Sequence, residues 1–284
     1  MTLAHRRDRP SWNVHQAFVR RHGADSGRFV TVESLVGAPH WSHQLGGEEK
    51  MRVRTRIRFT DGLEWTLNSD TLVFNRLRRV TVEDGLLSSP ADREFAAMEW
   101  QALLRSLLES LPCRVINPAV RQGMSGVDFS DAQWMLLARR AELPVRGLSL
   151  FTNPRHLQRR GRGGYCTPRL VDGRVRVMEV ASGRGAALPA LGRGAGCFLE
   201  ETARPEARSV LVAGNAVVGE IPASLEIGCI KLARLVECEL LQLWFAPGAR
   251  RSDWRFLAAS TFPECTREDH VEAVVGYLGG QAGL

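Results

Sequence analysis

Residues 89 to 117 set the tightest limit on what this chain can fold into. Ser89, Pro90 and Asp92 have the order of a helix start: a capping hydroxyl, a proline at the first helical position and an acid that completes an approximate capping box. Behind them Phe95, Met98, Ala102, Leu104, Leu107, Leu108 and Leu111 recur at helical spacing. A short apolar run, Cys113-Arg-Val-Ile-Asn, follows at once and leads into Pro118, and another, Thr71-Leu-Val-Phe-Asn-Arg, precedes the helix. Strand, capped helix, strand is the alternation of a sheet covered by helices.

The pattern extends in both directions. Trp12 to Arg21 reads as a short helix, Phe29-Val-Thr-Val as a strand, and Gly37 to Gly47 as a loop holding Pro39, His40, Trp41 and His43. Arg52-Val-Arg-Thr-Arg-Ile-Arg-Phe alternates with period two, Asp61-Gly62 turns it, and Leu63 to Leu67 returns. Ser130-Asp-Ala-Gln is a second capping box, opening a helix through Trp134, Leu137, Ala138 and Ala141. Leu148 to Thr152 is a strand ended by Asn153-Pro154.

Arg155 to Gly196 changes character, rich in glycine and arginine, with one hairpin-like stretch from Leu170 to Val180. Strands then come at Cys197 to Glu200, Ser209 to Val212 and Ala216 to Val218. A helix from Ser224 carries Leu225, Leu232, Ala233 and Val236, and strands at Leu240 to Ala246 and Trp254 to Ala258 pair after it. Thr266-Arg-Glu-Asp caps a last helix with Val271, Val274, Val275 and Leu278, ending at Gly279-Gly280. The class is α/β, turning α+β toward the C-terminus, with expected divisions at 1–118, 119–196 and 197–284.

A chain of 284 residues buries about three quarters of its unfolded surface, enough for a full core. No apolar run reaches the ~20 residues that span a bilayer. The basic start, Met1 to Asp8, has no apolar stretch behind it, so no secretory signal is read and a cytoplasmic location is expected. Its six cysteines have no C-x-x-C spacing and read as reduced thiols packed as small apolar groups. The net charge of +7 is carried almost wholly by arginine, Lys50 and Lys231 being the only lysines. An acidic peptide, a phosphate ligand or nucleic acid would suit it.

Three stretches, in order, resemble the peptide-ligase branch of the ATP-grasp superfamily, which includes graspetide-forming enzymes and ribosomal-protein glutamate ligases. The first is Thr71 to Arg76 with Val115-Ile116-Asn117-Pro118 after the helix. The second runs from Trp134 through Leu143-Pro144-Val145 to Leu150-Phe151-Thr152-Asn153-Pro154. The third holds Glu206-Ala-Arg208, Val212-Ala-Gly214-Asn215, the helix from Ser224, and Phe256-Leu257 before Pro263. The resemblance implies an ATP-grasp-like fold with a reduced central lobe. It implies peptide contacts by Asn75, Arg76, Asn117 and Arg208; polar strand ends and a solvated strand arginine are the plainer readings of these residues.

The departures bear on chemistry. Carboxylate activation by ATP needs cations on the phosphates and acids holding Mg²⁺ between their oxygens. At the two positions where the resemblance implies Glu and Asn as metal ligands stand Ala258 and Ser260, and no lysine lies between Lys50 and Lys231. Arg159, Arg160 or Arg162 can bind phosphate but would not restore the metal site. The expectation is therefore a non-catalytic protein with no catalytic residue, no metal ligand and no cofactor. It would serve as a peptide- or protein-recognition accessory subunit beside an intact ATP-grasp ligase, with homo-oligomerisation open.

Two alternatives stand beside it. A divergent ATP- and Mg-dependent carboxylate–amine ligase would draw on Glu179, Glu200, Glu201 or Glu264. A nucleic-acid-binding protein would use the Arg/Gly-rich segment, although a surface loop is the better reading and nucleic acid is not the expected partner. His40 and His43 suggest a metal pair but have no third ligand nearby in sequence.

Overall fold

In a computed structural model, the structure describes residues 1–46, 52–80, 89–145, 150–151, 165–171, 174–180, 197–198, 207–248, 250 and 253–284. The amino-terminal part is built on a parallel sheet of β1 (Thr2–Ala4), β2 (Phe29–Thr31), β6 (Leu72–Asn75) and β7 (Arg114–Ile116), in the order β2-β1-β6-β7. Parallel neighbours need crossovers. Helix α1 (Arg9–His22) supplies the first and α3 (Pro90–Ser110) the last, with the short α2 (Val32–Val36) after β2. Asp8 caps α1 and Ser89 caps α3, each accepting from a backbone N–H three residues on.

Between α2 and β6 an antiparallel sheet is inserted: β3 (His40–Gly46), β4 (Arg52–Arg58) and β5 (Glu64–Leu67). Ile57 passes into one apolar cluster with Leu3, Val73, Leu104, Leu107 and Leu108, and Trp65 packs against it. The expected loop at 37–47 is thus half wrong, since β3 pairs with β4 along its full length. Its sequence is too polar to read as a strand alone. Trp41 supplies the anchor, stacking edge-on to Trp100 and donating Nε1–H to the Leu35 carbonyl at 2.8 Å.

Helix α4 (Asp131–Arg140), with the reciprocal Ser130/Gln133 capping box, leads to the central strands β8 (Leu150–Phe151), β9 (Tyr165–Val171), β10 (Arg174–Val180) and β11 (Cys197–Phe198). β9 pairs with β10 as the expected hairpin and β8 with β11. The carboxy-terminal part is antiparallel: β12 (Arg208–Ala213), β13 (Ala216–Val218), β14 (Leu240–Ala246) and β15 (Arg255–Ser260), in the order β13-β12-β14-β15. The β12–β13 turn needs Gly214, at φ +61, where a Cβ would lie 2.5 Å from the Tyr277 ring.

Period-two burial divides this sheet. Val210, Val212, Leu241, Leu243, Phe245 and Phe256 face α4 and α5 (Ala223–Leu235). At one end of the opposite face, Leu211, Ala213 and Leu240 join Val14, Phe74 and Ile116 and helix α6 (Glu268–Ala282) in a core shared by both parts of the chain. Helix α6 differs from expectation at both ends. Arg267 rather than Thr266 is its N-cap, without a side-chain bond, and it runs through Gly279-Gly280 to a left-handed Gly283. Gly279 is buried against α1, where a Cβ would meet the His22 ring at 2.8 Å.

Candidate functional site

In an open parallel sheet the strand order reverses at one point, and the crevice beyond the carboxyl ends there is the usual place for a ligand. Here β1 lies between β2, reached through α1, and β6. The chain leaving β1 is His5-Arg6-Arg7-Asp8, and the chain leaving β6 is Arg76-Leu77-Arg78-Arg79. His5 ties the two exits together, Nε2 lying 2.5 Å from the Arg79 carbonyl oxygen.

The floor of this edge is polar and fully engaged. Asn75 donates to the carbonyls of Asn117 (3.0 Å) and Met124 (2.6 Å) and accepts from the Leu77 N–H. Asn117 donates to the carbonyls of Leu240 (2.8 Å) and Thr261 (2.6 Å) and accepts from the Leu240 N–H. Arg76 donates through Nε and a terminal nitrogen to the two Asp8 carboxylate oxygens (3.0 and 3.2 Å) and through its other terminal nitrogen to the Pro263 carbonyl. All three side chains are 1% exposed. Gly126, at φ +74, permits the close pass of this floor: a Cβ there would sit 2.7 Å from the Thr261 Cβ.

Above the floor stands a cationic rim. The guanidinium of Arg78 lies 4.6 Å from the Phe262 ring centre, and Arg76 lies 3.7 Å from the same centre. Desolvation, and then the adjacent Arg76 charge, pull Arg78 below its ordinary pKa. Arg6, Arg7 and Arg79 are exposed beside it. Asp8, Arg78 and Phe262 were not singled out in the sequence. The Asp8-x-x-Ser11 cap and the arginine run directly after a strand were the available signals.

Arg208 lies apart from this group in the fold, at the start of β12, and donates to Glu220 at 2.9 Å in an exposed pair. Arg159, Arg160, Arg162, Glu200 and Glu201 lie outside the described residues. Glu179 is on β10 opposite Cys166. His40 and His43 are on β3; His43 bridges the Thr55 (2.9 Å) and Ser110 (3.0 Å) hydroxyls. Cys113 is half-buried and Cys229, Cys238 and Cys265 are buried; burial pushes the last three thiols up to about 12, 12 and 11.

The second surface of interest is the part of the carboxy-terminal sheet beyond the shared core, on the side away from α4 and α5. Ser209, Trp244 and Ala258 lie in register across β12, β14 and β15, with Gln242 opposite Ser260 in the next row. The pairing shifts after Trp244, leaving Leu257 without an opposite residue, and Trp244, Ala246, Leu257 and Ala258 form a buried apolar cluster. The Gln242 amide is held by the Ser209 hydroxyl and the Glu264 N–H, and the Ser260 hydroxyl is turned to the Phe262 backbone. Among the described residues no group of three His, Cys, Asp or Glu side chains could hold a metal ion. The donors on these strands, an amide, two hydroxyls and an indole, do not fit a Mg²⁺ bridging nucleotide phosphates, which takes carboxylates.

No protein-family model matches the sequence, and neither does any curated protein. Solved structures do match. The macrocyclase MdnC bound with precursor peptide MdnA, from Microcystis aeruginosa, aligns over 99% of this chain and 100% of its own, with TM-score 0.71 and 12% identity. The fold is that of the ATP-grasp ligases. The ATP-grasp ligase PsnB, complexed with minimal precursor, Mg and ADP, aligns over 100% of this chain and 98% of its own, with TM-score 0.65 and 16% identity. The macrocyclase MdnB of M. aeruginosa aligns over 98% of each chain, with TM-score 0.67 and 13% identity. The ATP-grasp fold thus runs nearly the whole length of the chain, beyond the three sequence stretches, which begin at Thr71. No helix among the described residues is long and apolar enough to cross a membrane.

Proposed function

We propose that this chain is an ATP-grasp-fold protein that has given up ligation and recognises a peptide, as an accessory subunit of a peptide-modifying system. The observation that carries the reading is the pair Ala258 and Ser260 on β15. They stand where the resemblance calls for metal-binding Glu and Asn, one in an apolar cluster and the other bonded to the Phe262 backbone. An alanine methyl offers no lone pair, so a magnesium ion would have no ligand from that position.

Peptide recognition is supported by the neighbours in fold: MdnC is bound with a precursor peptide and PsnB with a minimal precursor. The rim of Arg7, Arg78 and Arg79 suits an acidic peptide, since a guanidinium laid on an aromatic ring still presents its N–H edge to a carboxylate. In this reading Asn75, Arg76 and Asn117 shape the floor beneath the peptide. Arg208 is a further contact, because an exposed pair such as Arg208–Glu220 is weak and exchanges readily with another carboxylate. An intact ATP-grasp ligase is the companion expected. The competing reading, a divergent ligase, would have to recruit Glu179, Glu200, Glu201 or Glu264, the last with its N–H held by the Gln242 side chain beside this sheet face.

Calorimetry separates the two. The full chain should give no Mg²⁺-dependent heat with ATP, yet bind a Glu-rich peptide with an affinity that falls as salt rises. The double variant R78E/R79E should lose peptide binding at least about tenfold. Tight ATP binding that requires Mg²⁺ would overturn the non-catalytic reading, and peptide affinity unchanged in R78E/R79E would overturn the assignment of the rim.

A further inference from the structure

Helix α3 has apolar side chains on two opposite faces, and the fold uses one. Leu104, Leu107 and Leu108 are buried in the amino-terminal core. At about 100° per residue, Ala91, Phe95, Met98 and Ala102 fall in a narrow arc on the far side of the helix. Phe95 is 62% and Met98 58% exposed, and both alanines are exposed as well. Their separations of four, three and four residues are those of a seam between paired helices. The seam rises about 17 Å, three helical turns.

The charge beside the seam is opposite to that of the chain. Asp92 and Glu99 border it on one side and Glu94 on the other, all exposed and, among the described residues, in no ion pair within 4.0 Å. Arg105 closes its C-terminal end. In a protein of net charge +7, three carboxylates around an uncovered apolar stripe mark a surface shaped for a cation-bearing partner. A second copy does not fit. Parallel pairing of two α3 seams sets Glu94 against Glu99, and antiparallel pairing sets Asp92 against Glu99, like charges in both cases.

We propose that the outward seam of α3 docks an amphipathic helix of a partner protein, with large aliphatic side chains at seam spacing and Lys or Arg on both flanks. This surface is separate from the arginine rim and does not depend on whether the chain binds nucleotide.

The test uses the full chain and a fluorescent synthetic helix of about five turns, long enough to be partly helical alone, with Leu at seam positions and Lys on the flanks. Anisotropy should show saturable binding that weakens with salt, and no binding of the same helix with Glu replacing Lys. F95S/M98S should weaken binding at least about tenfold and E94K/E99K at least about threefold. These positions are exposed, so circular dichroism should match the parent. Binding of neither peptide, or equal binding by parent and F95S/M98S, would overturn the proposal. Concentration-dependent dimerisation of the parent in sedimentation, abolished by M98S, would overturn it in favour of a second copy.

Discussion

His270 sits in the first turn of α6 with 1% of its surface exposed and a buried Nε2 that has no hydrogen-bond partner among the described residues. Burial pulls its pKa below 6.5, with Arg267 adding in the same direction and Asp269 opposing both. Between the lowered folded value and 6.5 the unfolded chain therefore binds more protons than the folded one. Its contribution to stability is complete above about pH 6.5 and declines as pH falls from there toward the folded value. His15, lowered mainly by burial, acts with the same sign. Urea midpoints should drop from about pH 7.5 to 5.5, a range above carboxylate titration, and H270Q should flatten that drop while leaving part of it to His15. An equal drop in parent and H270Q would show that His270 is not the group responsible. Nothing in the sequence signals this, because a histidine's burial depends on what packs across it, here elements far away in the chain.

At the scale of elements, Gly228 in α5 shows how contact overrides propensity. Alanine is the better helix former by about 1 kcal/mol. Yet a Cβ at Gly228 would sit 2.6 Å from the Leu143 Cδ2 and 3.0 Å from the Ala141 carbonyl oxygen, where α5 crosses the segment after α4. The backbone oxygen cannot move aside without shifting the chain, so overpacking wins. G228A should destabilise by about 1–3 kcal/mol in urea unfolding, with an unchanged slope. A stabilised G228A would mean that the two segments separate at little cost. This contact was hidden in the sequence for the same reason that β3 was. The capped helices α3 and α4 and the Asp61-Gly62 hairpin announce themselves through local chemistry, a hydroxyl reaching an N–H three residues on or a glycine at φ +82. A polar strand such as His40–Gly46 has no local cause; it exists because β4 offers it a ladder.

Across the whole molecule the two sheets are joined twice, by an apolar core and by a few buried polar side chains. Val14, Phe74 and Ile116 from the amino-terminal part pack with Leu211, Leu240 and Val274 from the carboxy-terminal part. Through this seam runs Asn117, at the end of β7, bonding both backbone groups of Leu240, 123 residues away, and the Thr261 carbonyl, 144 away. The order of most helices and strands was readable because those elements, unlike β3, are specified locally, and the ATP-grasp-like fold followed from the resemblance of three stretches. The partners of Asn75, Arg76 and Asn117 were not, since a polar residue at a strand end looks the same whether it meets solvent, a ligand or another sheet. If the two parts unfold as one unit, the most protected amides of β6 and of β14 exchange only through global opening and report one free energy. Asn117→Ala strips hydrogen bonds from two buried carbonyls and one buried N–H, a cost on the order of 3–5 kcal/mol. Hydrogen exchange should then show protection in β6 and β14 falling together by that amount. Loss confined to β14, with β6 unchanged, would mean that the two sheets fold independently and that Asn117 fastens a contact between finished parts.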